Sequence, residues 1–527
     1  MAVPSPLDPI DPLGTNTSFK QLLGTIIRHA FTLFFGYLTF DCIYNLFLHP
    51  LRSFPGPVMA RASNLYSFFY ALSGHQEEAE YALHILYGPF VRARPNQILI
   101  ADPAYIPTVY HLRADKDSMH MGEALGLHTS TLAPGPWEQH AMRRRRIAGA
   151  YSMTNIKRME PLIDARIMEF TAALDERFVK TGETFDFAVW ANYYTYDVVS
   201  TIAFGEPFGF VRTGTDVASL LKQFHGGAGY ATSIAKIPAF EAALGMIPGF
   251  SKLWIPKPTD KKGLGALMGF RDKLLDARMA EWKEGKGRDR KDLLSHFLAA
   301  QNLDGTPMTR EEIAGEALLI MIAGSDTTAT TLRHLLFNLL KKPEAFEKLR
   351  NQIDKAYDTG KLSKPVPTYA QVEKEVPFLW CCLQETLRIA APVAAPMGRV
   401  VSEPIAAGNL VIPVGAEVGM NPWVVHRHEE TWGEDCEEFR PERWEVRESE
   451  RREMEKKMLT FGGGARVCLG KGIALMEVSK VIVELLRKME WEIAEAPKGE
   501  EAEVRWNTGT WQERGYWVRA ERRDLGR

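Results

Sequence analysis

Cysteine is scarce in this chain. Five among 527 residues, Cys42, Cys381, Cys382, Cys436 and Cys468, are too few and too scattered for a disulfide framework, and no C-x-x-C pair suggests zinc. Reduced thiols in a cytosol-facing domain are the simpler reading. A dominant charge is lacking too. The 64 Lys and Arg nearly cancel the 66 Asp and Glu, leaving a net −2, so no overall basic field recruits nucleic acid. No internal repeat and no long low-complexity linker divides the sequence. A clean apolar run of about 20 residues, the length of a membrane span, is also missing. The nearest approach is the stretch from Gln21 to Leu51, where Arg28 and Asp41 leave only His29 to Phe40 uninterrupted.

Charges near a helix end can reach the membrane interface. A single tilted anchor over roughly Leu22 to Leu46 is therefore expected, with a helix lying on the membrane surface as the alternative. The basic start and small-residue cleavage site of a secretory signal are not evident. Asn16-Thr17-Ser18 fits a glycosylation acceptor, relevant only if the N-terminus is lumenal. The expected organisation is a short tail (1–21), an anchor helix (22–50), an elbow (51–60) built on Ser53-Phe54-Pro55-Gly56-Pro57, and one soluble domain (61–527).

Helical periodicity dominates from about Leu162 to Tyr357. Strand-like runs are few: Phe90 to Asp102, Asn409 to Met420, and the tail around Trp511 to Val518. They flank the helical block, which favours one helix-rich domain with a small β region assembled from distant segments. One long helix is expected from the capping box Thr309/Glu312 to Lys341, stopped by Pro343; its 32 or so residues give roughly 48 Å. Its middle, Ala323-Gly324-Ser325-Asp326-Thr327-Thr328, puts poor helix formers and an acid between apolar flanks. A helix crossing or a solvated stripe would account for it. Buried, it suggests a functional opening of the kind where π-bulges gather. In Cys381 to Ala390, Glu385 and Arg388 share a helix face among apolar neighbours, and a buried pair needs further partners, for which Arg443 is the candidate.

The stretch Phe461 to Gly470 (FGGGARVCLG) holds Cys468 between glycine-rich backbone and the start of an apolar helix. Glycines let backbone approach something bulky, and a cysteine at a helix start tends to lose its proton. A phosphate loop is the rival reading. It fails on spacing: five residues separate Gly464 from Gly470, and Gly472 stands where Ser or Thr should hold magnesium. A lone cysteine is often just a small core residue, but that leaves Arg466 unexplained. A haem offers a metal for the sulfur and propionates for the cation, with Phe461 shielding the sulfur.

These motifs resemble the cytochrome P450 monooxygenases. Phe461, Gly464, Arg466, Cys468 and Gly470 match the haem loop FxxGxRxCxG. AGSDTT matches the oxygen-activation helix, Glu385-x-x-Arg388 the ExxR helix, and Pro441 to Trp444 the PERF segment. The likeness runs from about Pro55 to the C-terminus. The elbow and the segment His140 to Ser152 look like the filamentous-fungal secondary-metabolism branch, similar to pisatin-demethylase-like and benzoate-hydroxylase-like members.

The resemblance implies a mainly α fold with a small β-rich region and a haem b held by the Cys468 thiolate. It implies proton handling by Asp326 and Thr327, and a scaffold role for Glu385, Arg388 and Arg443. The family's propionate-binding WxxxR is absent, since Ala141 follows Trp137 by four. His140-x-x-x-Arg144 fits instead, with Arg399 a further propionate contact. No flavin or nicotinamide fingerprint appears, so electrons are expected from NADPH through a separate reductase, with cytochrome b5 as an accessory donor. Arg143 to Arg146 and Lys471 offer a docking face. Leu319, Ile322, Val393 to Met397 and Trp511 are candidates for a pocket holding a lipophilic small molecule. The expected location is the endoplasmic reticulum membrane, N-terminus lumenal and catalytic domain cytosolic. Two other readings are a haem-thiolate peroxide isomerase or dehydratase without external electrons, which the Asp326-Thr327 pair speaks against, and a membrane-tethered nucleotide-binding protein.

Overall fold

The computed structural model describes residues 14–117, 129–133, 135–237, 256–302, 304–507 and 509–524. Helix α1 (Gly14–Ile43) continues into a π-type turn, Tyr44–Leu48. The span Leu22–Leu48 has a mean hydropathy of 1.4 and is long enough to cross a membrane. Its Phe31, Leu33 and Phe40 are exposed, an apolar surface consistent with a single membrane anchor. The expected tail falls outside the described residues up to position 13, as do the side chains of Asn16, Thr17 and Ser18. Asp41, at the end of α1, accepts a hydrogen bond from Asn45 (2.9 Å), while the fully buried Arg92 donates to Asn45 O and Pro95 O. The end of the anchor segment is thus fastened to the first strand, as is the elbow, where Arg92 N donates to Pro55 O (2.7 Å).

The helices that carry the argument below are α2 (Leu65–Ser73), α3 (Gln76–Tyr87), α4 (Trp137–Ile147), α5 (Met153–Leu174), α6 (Phe187–Phe204), α7 (Leu220–Ile234), α8 (Gly263–Lys283), α9 (Arg310–Lys341), α10 (Pro377–Ile389) and α11 (Lys471–Lys488). A five-stranded sheet joins β1 (Phe90–Arg94), β2 (Gln97–Ile100), β3 (Asp115–Lys116), β4 (Arg399–Val400) and β5 (Glu417–Gly419) in the order β1-β2-β5-β4-β3. Only β2 and β5 run parallel within it. The C-terminal strands pair separately, including Trp511–Arg514 with Val504–Asn507 and Trp517–Arg522 with Met489–Ile493. The strands come from distant segments, as the periodicity implied, and pack beside a helical core.

Helix α9 runs through that core with the expected bounds and capping box: Thr309 Oγ1 accepts from Glu312 N, and Glu312 Oε2 from Thr309 N. It passes unbroken through AGSDTT, with no π-bulge. Ser325 Oγ and Thr327 Oγ1 donate to the carbonyls four residues back, Met321 O and Ala323 O, so the hydroxyls are satisfied without opening the ladder. A methyl group at Gly324 would lie 2.7 Å from Val199 Cγ2. The glycine therefore lets α6 and α9 cross closely, and the helix-crossing reading of this stretch holds for that residue.

On α10, Glu385 and Arg388 are wholly buried and doubly hydrogen-bonded, Nε–Oε2 at 2.9 Å and Nη2–Oε1 at 2.8 Å. Arg443 does join them (3.3 Å), and Trp444 Nε1 and Arg440 N also donate to Glu385. Burial pushes the Glu385 carboxyl up, but the Arg388 bonds and charge outweigh it, leaving the group below its usual range. Arg388 further donates to His426 O, Cys436 O and Glu438 O. Removing one partner of such a cluster strands a buried charge, at about 3–5 kcal/mol. Arg388→Ala is expected to lose that much in chemical denaturation; a wild-type unfolding midpoint would contradict the account.

Candidate active site

The loop before α11 is shaped by backbone that most residues cannot adopt. Gly464 has φ +62°, and a Cβ there would sit 1.8 Å from Tyr110 O. Cys468 N donates to Phe461 O (2.8 Å), closing the loop on itself. The backbone N–H groups of Gly470 and Lys471 at the helix start act on the sulfur and favour its charged form. The Lys471 ammonium lies over the Phe461 ring at 5.5 Å.

Cys468 is exposed by area, yet crowded enough that burial dominates its titration. Both hold for a group in the wall of an enclosed hollow. Burial pushes the thiol up; the two N–H groups, Arg144 and Lys471 only partly counter it. The helix start alone therefore does not make the thiolate that its sequence position suggested. A metal cation at the sulfur would.

The second wall is α9. Although buried on both flanks, the helix exposes Ala323 and half-exposes Leu319, Ile322 and Thr327. Burial, followed by the charges of Glu316 on α9 and of Cys468, pushes the Tyr151 phenol well above its usual range. Met397 lies beside Gly462, and Val393 to Met397 are half-buried apart from Ala394. Trp511 is buried next to the start of this segment, with N donating to Pro392 O and Nε1 to Ala391 O. Asp326 is buried against His225 on α7, at 3.1 Å.

Cations gather at one edge of the hollow. Burial and the Arg399 charge pull Arg466 down to about 10, and its Nη1 is buried without a hydrogen-bond partner. Arg399, on β4, is buried, donates to Gly398 O and stacks on Tyr110 at 4.9 Å. Burial, Arg466 and Arg399 bring Lys116 down to about 7. Burial followed by Arg466, Arg144, Lys116 and Arg399 drives His140 to about 3, so it is neutral. Arg144 has no hydrogen-bond or ion-pair partner among the described residues. Mutually repelling cations with an orphaned guanidinium N–H fit a group bearing two carboxylates. With the thiol, this donor set fits a haem.

A family profile for cytochrome P450 matches residues 67–516. The chain belongs to the cytochrome P450 family. Among its relatives is the quiannulatic acid synthase of Emericella variicolor, 32% identical over 83% of this chain and 87% of that protein. The cytochrome P450 monooxygenase pkfB of Emericella nidulans is 33% identical over 83% of this chain and 86% of its own. Monooxygenase mpaDE' of Penicillium brevicompactum is 32% identical over 84% of this chain, which spans about half the length of that relative. This P450 is accordingly a monooxygenase of the fungal secondary-metabolism group, and the family carries haem-thiolate iron.

Sequence reasoning missed Lys116 and Tyr151. The first sits in a two-residue strand and the second in a short turn, and neither belongs to a spaced motif. It overstated the arginine run: Arg146 is tied to Glu312 (2.6 Å) and Asn302, and Arg143 donates to Ser130 O. An apolar cavity of about 670 Å³ lined by α2, α3 and Met59 lies by the elbow and includes none of these residues.

Two predictions arise from this geometry. Gly464→Ala combines a left-handed φ with a backbone clash, and is expected to cost about 3 kcal/mol, read by thermal unfolding. Glu316 accepts Thr131 N–H and Oγ1–H at 2.6 Å each, but burial still pushes its carboxyl up to about 7 from an ordinary 4.5. Between those values the folded protein holds the extra proton, so the stability that Glu316 contributes is fully present below about pH 4.5 and is lost as pH rises through about 7. Glu316→Gln should flatten this slope in unfolding titrations across that window.

Proposed function

We propose that this P450 inserts one atom of O2 into a lipophilic small molecule in a fungal secondary-metabolite pathway, with Cys468 as the residue whose thiolate would hold the iron of haem b. The observation that carries the reading is the Cys468 sulfur in the wall of a hollow, two backbone N–H groups on it and a cation cluster at the edge. When bound, the haem supplies reductive activation of dioxygen, which its thiolate ligand favours.

The protein's own share is placement and protons. The Gly470 and Lys471 N–H groups moderate the donor strength of the Cys468 sulfur, and Phe461 and Lys471 cover it. Gly464 and Gly470 keep the loop slim enough for close approach. Arg466, Arg399, Arg144 and the neutral His140, joined by Lys116, hold the propionates. Thr327 presents Oγ1 at the hollow, where it holds or passes a proton, and Asp326 supplies protons from behind. Leu319, Ile322 and the segment Val393 to Met397 offer the apolar wall for a substrate. Glu385, Arg388 and Arg443 serve as scaffold. Electrons come from NADPH through a membrane-bound reductase, with cytochrome b5 as accessory. A single helix anchors the protein in the endoplasmic reticulum membrane, N-terminus lumenal.

Reduced protein under carbon monoxide provides the test. Wild type should show the red-shifted band of a thiolate-bound haem and Cys468→Ser should lose it; a retained band refutes the ligand. With reductase and NADPH, Thr327→Ala should keep the band but divert electrons to peroxide, and normal coupling would remove Thr327 from the mechanism.

A further inference from the structure

Asp326 is a carboxyl in the middle of a core helix, only 4% exposed. A charge there is costly unless partners surround it. Three elements meet at it. From α7, His225 Nε2 lies 3.1 Å from Oδ2. From α6, the buried Tyr196 phenol lies within reach of the carboxyl, and burial followed by Asp326 pushes that phenol well above the usual range. Its other oxygen, Oδ1, is buried with no hydrogen-bond partner. Of the two neighbours, only His225 reaches water, its side chain 21% exposed, and only imidazole exchanges a proton near neutral pH. Tyr196 can hold a hydrogen bond but keeps its proton.

We infer that His225 is the group that hands protons to Asp326, connecting the buried carboxyl on α9 to solvent through α7. This rests on the reading that Asp326 supplies protons to the hollow. His225 touches no reacting atom and acts as a positioning residue through Asp326. In the step, the Nε2–H bond breaks and an Oδ2–H bond forms, turning the imidazolium–carboxylate pair into imidazole and carboxylic acid. The acid then releases its proton on the hollow side, and water reprotonates the imidazole. One proton enters, one leaves, and no electrons move. The ion pair and the neutral pair differ only in the position of one proton, so the hand-over from imidazolium to carboxylate leaves the net charge of the buried pair unchanged.

The other ionisable groups nearby are few. Asp216, whose carboxylate caps Leu221 N and Lys222 N, also acts on Tyr196. Helix α2, packed against α7, carries Tyr66 and Tyr70. From α8, Arg271 is committed to Asp272 and Ala314 O. Lys222 stands exposed on α7 itself. Among the described residues none of these hydrogen-bonds His225, whose polar contact is Asp326.

The test uses the full-length haem-loaded protein in its diamagnetic ferrous carbon-monoxide form, with carbon-13 at histidine. The His225 resonance, assigned by its loss in His225→Gln, is expected to move in Asp326→Asn, because the two side chains are in direct contact. An unmoved resonance overturns the inference. Turnover gives the second readout, as NADPH oxidation with added reductase and no added substrate. His225→Gln keeps a hydrogen bond but cannot relay, and should run about tenfold slower with an enlarged solvent isotope effect and a full carbon-monoxide band. His225→Ala should match it if Gln perturbs folding. In the Asp326→Asn background, His225→Gln should add no further loss. If Asp326→Asn is slow while both His225 variants run at the wild-type rate, the relay is wrong and the Asp326 role stands. If Asp326→Asn itself runs at the wild-type rate, the underlying reading of Asp326 fails.

Discussion

The buried knot around Glu385 fixes the position of nearly everything that matters here. Arg388 spends its guanidinium on one carboxylate and three backbone carbonyls, tying α10 to the segment from His426 to Glu438. His426 carries the connection onward: its Nδ1 meets Arg388 O, and its Nε2 receives Leu459 N–H. Burial and Arg388 bring this imidazole down to about 3, so it stays neutral and can accept at one nitrogen while donating at the other. Leu459 lies two residues before Phe461, and Thr460 Oγ1 donates to Leu387 O. An ion pair remote from the sulfur thus sets where the cysteine loop begins. A fully satisfied polar network specifies geometry because every alternative packing leaves a buried charge unpartnered.

The cysteine loop shows two forces in opposition. Backbone N–H groups at the start of α11 favour a thiolate, while an enclosed position disfavours any charge. In the protein by itself enclosure wins. The same holds at the cationic edge, where Arg466, Lys116 and His140 are all displaced toward their neutral forms by burial and by the charge of Arg399, with Arg466 acting on the other two. Each side has a charge deficit of opposite sign. A metal at the sulfur and carboxylates at the edge would remove both at once, and the group that supplied them would stabilise the folded site.

Much of the architecture was legible in the sequence. The long helix, its capping box, the pairing of Glu385 with Arg388 and Arg443, and the N-terminal apolar helix depend on spacing along one element, and local periodicity reports that directly. The opening expected at AGSDTT did not materialise, because hydroxyl back-bonding and a glycine crossing satisfy the same residues without disturbing the ladder. Lys116, Tyr151 and His225 were illegible, since each gains meaning only from a neighbour far away in the chain; His225 and Asp326 are 101 residues apart.

The sequence by itself determined the residue types that chemistry requires: one cysteine at a helix start, glycines where backbone must pass closely, arginines at fixed offsets, an acid beside a threonine. Those are properties of short segments, set by covalent spacing and local conformation. Tertiary structure alone decided the electrical state of each group, because a pKa depends on what encloses the side chain and which charges face it across the fold. That is why the thiol beside two N–H donors is held up, a histidine among arginines is held neutral, and a central acid finds its proton source on another helix.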